Sequence, residues 1–228
     1  MTSVNESPAV SQTTGGTEVL RPHDGTRPEI RVEWRDGQRV VAKDYRVGKW
    51  SLRLIGRALV PRECRAYDKL AGLPGIPRVV ARDRLSLTLE YLEGTMLSFV
   101  DPTTLTAEFY DQLYALIRAM HARGVTHGDL KRLNNVIVGP DGRPSLIDFS
   151  AAFTANANPV TRLIMRCLRD DDLRSVGKAK RRFSPELLTP EEEHLLDHMH
   201  PVAWAARWVL KGLRRLVQVL AGREGYKP

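Results

Sequence analysis

At 228 residues, with 42% hydrophobic and 27% charged residues, the chain has the make-up of a soluble globular protein, as one domain or as two small lobes sharing a cleft. Its formal net charge of +8 points to a polyanionic partner: nucleotide phosphates, nucleic acid or an anionic bilayer surface. No apolar run reaches the roughly 18 residues of a membrane span, and the first residues lack the basic start and apolar centre of a signal peptide. Cys64 and Cys167, far apart and without metal-ligand spacing, read as free thiols of a reducing compartment, which places the protein in the cytoplasm.

Residues 1–16, rich in Ser, Thr, Asn and Gly, read as a disordered tail. "EIRVEW" and "RVVAKDY" are β-prone runs on either side of "RDGQ", where Asp36-Gly37 is a hairpin signal. Lys43 lies inside the second run. A lysine in an apolar strand either snorkels at an edge or faces an anion. "KWSLRLIGRALVPRECRAYDKLAGLPGIP" reads as helix in two stretches, with Pro61 in the first turn of the second and "LPGIP" as the stop. Glu63 falls early in that second stretch, where an ion pair with Lys43 would hold the lysine ready for a phosphate. "LSLTLEYLEGTML" reads as a strand entering a connector, whose backbone at Glu90 to Leu92 is open to an adenine edge. "LTAEFYDQLYALIRAMHARG" has helical patterning and stops at Gly124.

The chemistry concentrates in "VTHGDLKRLNNVIV" and "PSLIDFSAA". Asp129 is suited to take a hydroxyl proton. Asn134, five residues on, is suited to reach a metal ion held by a second carboxylate. Asp148 supplies that carboxylate, because the Pro-Asp-Gly turn in "GPDGR" folds the strand before it back onto the loop of Asp129. Such convergence suits phosphoryl transfer, in which catalysis is mostly positioning and charge neutralisation. Beyond Asp148 come a loop, "SAAFTANANP", and helices from about 160 to 182 and from 190 to the end.

Together these residues resemble the protein-kinase-like superfamily over residues 29 to 183, and in their economy the small atypical kinases, the RIO type and the bacterial lipopolysaccharide-core kinases. The resemblance implies an α+β bilobal fold: a small antiparallel-sheet lobe over 17–93 and a mainly helical lobe over 94–228. It also implies ATP as phosphate donor with Mg²⁺, or Mn²⁺ in its place. Lys43 would hold the α- and β-phosphates with Glu63 as its partner, Asp129 would take the acceptor's proton and Lys131 would steady the γ-phosphate, while Asn134 and Asp148 would hold the metal. Three departures stand out. "RPHDGTRPE", with Gly25 alone, replaces a glycine-rich loop, Ser150 follows Asp-Phe in place of glycine, and no Ala-Pro-Glu anchor follows. The expected acceptor is a protein serine or threonine; the alternatives are a lipopolysaccharide-core sugar or other small hydroxyl compound, and a nucleotide-binding scaffold without transfer.

Other polar groups have structural readings. His127 would tie its loop to the following strand, and Asn135 would cap or bridge. Asp170 and Asp171 would cap a helix N-terminus, and Asp172 would resemble the family's buried helix aspartate that orients the catalytic loop. "KAKRR" at 178–182 reads as a solvated helix end, so nucleic acid is disfavoured. In the C-terminal stretch, Leu210, Leu213, Val217 and Leu220 share a helical face, with Arg207, Lys211 and Arg214 on another. With Trp204 and Trp208, this helix over 202–222 either packs on the larger lobe or lies on an anionic membrane surface, which would make the protein peripheral at the inner face.

Overall fold

A computed structural model describes residues 17–22, 27–47, 50–155 and 159–197. The tail over 1–16, the loop around Gly25 and the C-terminal helix over 202–222 lie outside these residues. The chain begins with β1 (Glu18–Arg21), β2 (Glu29–Arg35) and β3 (Gln38–Asp44), passes through α1 (Trp50–Leu70), and completes the first sheet with β4 (Val79–Arg82) and β5 (Ser86–Glu90). The order is β1-β2-β3-β5-β4, with every pairing antiparallel. The β2–β3 hairpin closes at Arg35↔Gln38, and both turn residues take positive φ, Asp36 at 49° and Gly37 at 74°. That geometry is why an Asp-Gly pair stands there.

Helix α1 corrects one expectation. Pro61 does not open a second stretch but sits inside one continuous helix of 21 residues. A proline there lacks an amide donor and normally breaks the helix. Pro61 itself is exposed, while Leu52, Val60, Ala66, Tyr67 and Leu70 are buried in the core, so packing outweighs the one lost bond. Gly56 permits the close approach: a Cβ there would stand 2.5 Å from Cβ of Tyr45.

The second half comprises β6 (Thr95–Met96), α2 (Ala107–Ala122), β7 (Val125–Thr126), β8 (Val136–Val138), β9 (Pro144–Leu146), β10 (Phe153–Thr154), α3 (Pro159–Phe183) and α4 (Pro190–Asp197). Thr106 caps α2 by accepting from the Phe109 amide at 3.2 Å, and Gly124, at φ 71°, lets the chain turn out of it. Strands β8 and β9 form the expected hairpin with β6 alongside, and β10 pairs with β7. The core is continuous from Leu52, Tyr67 and Leu87 on the sheet side to Tyr110, Ile117, Met120, Leu146 and Phe149 on the helical side. Cys64 and Cys167 are both buried and free. Among the described residues no helix is long and apolar enough to cross a membrane.

Two further expectations fail in α3. Asp170 and Asp171 cap no N-terminus, because the helix starts at Pro159 and they lie in its middle. Lys180 is not solvated: it is 6% exposed and pairs with Glu192 at 2.9 Å, tying α3 to α4.

Candidate active site

The site is built where the two halves meet, around one ammonium group. Strand β3 carries Lys43 inward, and its Nζ donates to both oxygens of Glu63 on α1, at 2.8 and 3.0 Å. The same Nζ donates to Oδ1 of Asp148, 105 residues later, at 2.8 Å. Lys43 is 6% exposed and Glu63 fully buried, whereas the Asp148 side chain keeps 34% of its surface in solvent. Burial works against the lysine's charge, but the carboxylates of Asp148 and Glu63 outweigh it and hold the ammonium well above its ordinary pKa. Burial pushes Asp148 up, yet the charge and hydrogen bond of Lys43 hold its carboxyl well below the usual carboxylate range. For Glu63 burial prevails, and its pKa is raised.

Asp148 reaches this position through a left-handed backbone conformation, φ 63°, uncommon for a residue other than glycine. The Ser150 amide then donates to its Oδ1 at 3.4 Å. Phe149 lies between Tyr67 of α1, with ring centres 5.0 Å apart, and His127, at 4.8 Å. Arg62, also on α1, donates from Nε to the Ala152 carbonyl at 2.8 Å, and Lys69 to the Ala155 carbonyl at 3.1 Å. One helix therefore holds both the partner of Lys43 and the segment after Asp148.

The loop of Asp129 is anchored from below. Asp172, 1% exposed, accepts from the amides of His127 at 2.8 Å and Gly128 at 2.9 Å, and its Oδ2 lies 3.0 Å from His121 Nε2. Gly128 is required on two counts: φ is 74°, and a Cβ would meet the Ala151 carbonyl oxygen at 2.8 Å. His127 Nε2 sits 2.9 Å from the Ile147 carbonyl, so that nitrogen carries the proton and the ring ties the loop to the exit of β9, one strand beyond the expected one. Asn135 bridges: its side chain donates to the Asp129 carbonyl at 3.1 Å, and its own carbonyl accepts from the Ile147 amide at 3.0 Å.

Within this frame Asp129 has a buried Oδ1 with no hydrogen-bond partner, and an Oδ2 3.3 Å from Arg132 Nε. Lys131 and Asn134 are exposed on the same loop, and neither has a partner among the described residues. Of the expected adenine-edge groups, the Glu90 amide is already engaged by the Arg78 carbonyl at 2.9 Å, and the Glu90 carboxylate pairs with Arg78. The Leu92 backbone, the other end of the expected edge, has no partner among the described residues.

A divalent cation fits the donors present. Lys43 with two carboxylates leaves one net negative charge, Asp148 Oδ2 has no partner among the described residues, and the nearby loop offers the amide oxygen of Asn134. Magnesium typically takes one or two carboxylates and completes its shell with water and phosphate oxygens. No group of three or more His, Cys, Asp or Glu suited to a metal occurs among the described residues.

A five-stranded lobe whose strand lysine pairs with a helix glutamate, set against a helical lobe presenting Asp129 and Asp148, defines a protein-kinase-like fold. The family model for the RIO domain matches residues 29–183, and the chain belongs to the RIO family. Among solved structures, the Rio2 kinase from Chaetomium thermophilum superposes with a TM-score of 0.57 at 18% identity, over 86% of this chain and 62% of that one. The Rio2 kinase–ADP/Mg²⁺–phosphoaspartate complex from the same organism gives 0.57 at 18% identity, over 83% and 60%. A putative cyclin-dependent kinase F-2 of Oryza sativa subsp. japonica is 34% identical over 113 residues, 43% of this chain. The chain spans 34% of that rice protein's length.

Sequence reasoning missed Tyr67, Arg62 and Arg132. Tyr67 carried a signal, since it follows Glu63 by one helical turn and must share its face. Arg62 carried none, because it binds backbone carbonyls, which have no residue identity.

Proposed function

We propose that this chain is an ATP-dependent phosphotransferase that moves the γ-phosphate to a hydroxyl, with serine or threonine of a protein as acceptor. The observation that carries the reading is the single Lys43 ammonium bonded to both Glu63 and Asp148. A buried lysine held by two carboxylates from opposite halves of the chain is preorganised for the α- and β-phosphates, and preorganised charge is the main resource of phosphoryl transfer.

In this mechanism the Leu92 backbone receives the adenine edge and Lys43 receives the phosphates. Asp148 and Asn134 would hold Mg²⁺, or Mn²⁺, which supplies charge neutralisation to the phosphates when bound. Asp129 accepts the acceptor's hydroxyl proton as that oxygen bonds to the γ-phosphorus and the bond to the β-phosphate oxygen breaks, releasing ADP. Lys131 steadies the transferred group. The link from Asp172 through the His127 and Gly128 amides keeps Asp129 in place without a phosphorylated segment. The two buried free thiols favour a reducing, cytoplasmic setting.

A second reading has a carboxylate of this chain as the first acceptor. The C. thermophilum Rio2 complex contains ADP/Mg²⁺ and phosphoaspartate, and here the Asp148 side chain keeps 34% of its surface in solvent, with no partner for Oδ2 among the described residues. Incubation with ³²P-labelled ATP and host lysate fractions separates the cases. Acid-stable label on a protein supports the first reading, and hydroxylamine-labile label on the chain itself supports the second. Label in a lipid-linked sugar would move the acceptor to a small hydroxyl compound. ATP binding without transfer would reduce the chain to a nucleotide-binding scaffold.

A further inference from the structure

The two oxygens of Asp129 stand in unequal surroundings. Oδ1 is buried, so an acceptor hydroxyl arriving from solvent meets Oδ2, and Oδ2 is already held by Arg132 at 3.3 Å. The Arg132 side chain is 63% exposed and has no other partner among the described residues. A guanidinium offers five N–H groups in a planar fork, and the contact through Nε leaves the terminal nitrogens open to a second anion. The arginine end of this pair is exposed and the contact is a single one at 3.3 Å, so a second anion can compete for the guanidinium. Lys131, exposed beside it and without a partner among the described residues, adds a second positive charge.

We propose that Arg132 selects acceptors that carry an acidic group next to the hydroxyl. The acceptor's anion takes the guanidinium, and Asp129 Oδ2 is released to the hydroxyl it must deprotonate. Arg132 thus acts as a gate on the general base that opens to acidic protein segments and stays closed to neutral or basic ones. The inference rests on the phosphotransfer reading above and names the acceptor class of that same site.

The test compares transfer to dephosphorylated casein, native phosphocasein and myelin basic protein by the wild-type chain and by Arg132→Lys and Arg132→Glu, with ATP affinity measured in each. The wild type is expected to favour dephosphorylated casein over myelin basic protein by about tenfold or more, and Arg132→Glu to erase or reverse that ratio, mainly through KM. Arg132→Lys should retain the preference, and a further gain on native phosphocasein would identify phosphate rather than carboxylate as the anion. An unchanged ratio in Arg132→Glu, including one in which kcat falls equally on all acceptors, overturns the proposal, because it would leave Arg132 only a support for Asp129. Wild-type protein that binds ATP but labels no acceptor would remove the phosphotransfer reading, and this inference with it.

Discussion

The two polar clusters of the site differ in how much of their chemistry is satisfied in the bare protein. Lys43, Glu63 and Asp148 are joined by bonds of 2.8 to 3.0 Å across the two lobes, mostly out of water. Asp129, Lys131, Arg132 and Asn134 share one short loop, with one weak ion pair among them and two members exposed and without a partner among the described residues. Under the proposed function the first cluster would be a fixed receptor for phosphate, since its bonds are already formed without a ligand. The second is held in place from beneath, through Asp172, while Lys131 and Asn134 have no partner among the described residues and Asp129 Oδ2 meets Arg132 alone. Damage to the first should therefore appear as lost stability and lost nucleotide binding, and damage to the second as lost turnover in a folded protein.

The largest effect expected is at Asp129. Asp129→Asn should lower kcat by about 10²- to 10⁴-fold, the range for loss of a general base, with ATP affinity and thermal unfolding close to wild type; a loss of folding instead would erase the contrast between the clusters. Next in size is Lys43→Met, which strands Glu63 as a buried carboxylate without its cation and should cost about 3–5 kcal/mol in denaturant unfolding. Adding Glu63→Leu should restore much of that stability but no nucleotide binding. Asp172→Ala leaves the His127 and Gly128 amides without their acceptor, at about 1–3 kcal/mol for each buried group, and should also reduce kcat, since it loosens the loop of Asp129.

The smallest and most specific effect is on acid stability. The folded pKa of Asp148 is held below its ordinary value of 3.8, so its contribution to stability is complete above that value and is lost as pH falls toward the folded value. In that window unfolding takes up as much as one proton at this residue, worth a slope of about 1.4 kcal/mol per pH unit. Asp148→Asn should flatten the stability curve between roughly pH 4 and pH 2 by up to this amount, and equal slopes would mean that Lys43 does not hold the carboxylate as described.

Much of this arrangement was legible in the sequence because the residues concerned leave local signals. Asp36-Gly37 and the Pro-Asp-Gly turn have backbone demands that few residues meet, and Gly124 ends α2 for the same reason. Lys43, Glu63, Asp129, Asn134 and Asp148 stand in the order and spacing of a kinase-like site. What could not be read depends on partners distant in the chain. Strand β10 is two residues long and exists only through its ladder with β7. Pro61 is tolerated mid-helix because the buried face of α1 outweighs a missing bond. Asp172 stands mid-helix, against its propensity, because two loop amides need an acceptor there. Lys180 belongs to a run of basic residues that looks solvated, and Glu192, twelve positions on, makes it an interior pair.

The most direct test of the central claim, that Lys43 and Asp148 form one nucleotide-phosphate receptor, is an equilibrium titration of ATP with and without Mg²⁺ on the wild type, Lys43→Met and Asp148→Asn. Binding that requires or is strengthened by Mg²⁺ in the wild type, and that falls by about tenfold or more in both variants, is the result expected. Equal affinity in all three proteins, indifferent to the metal, would contradict it.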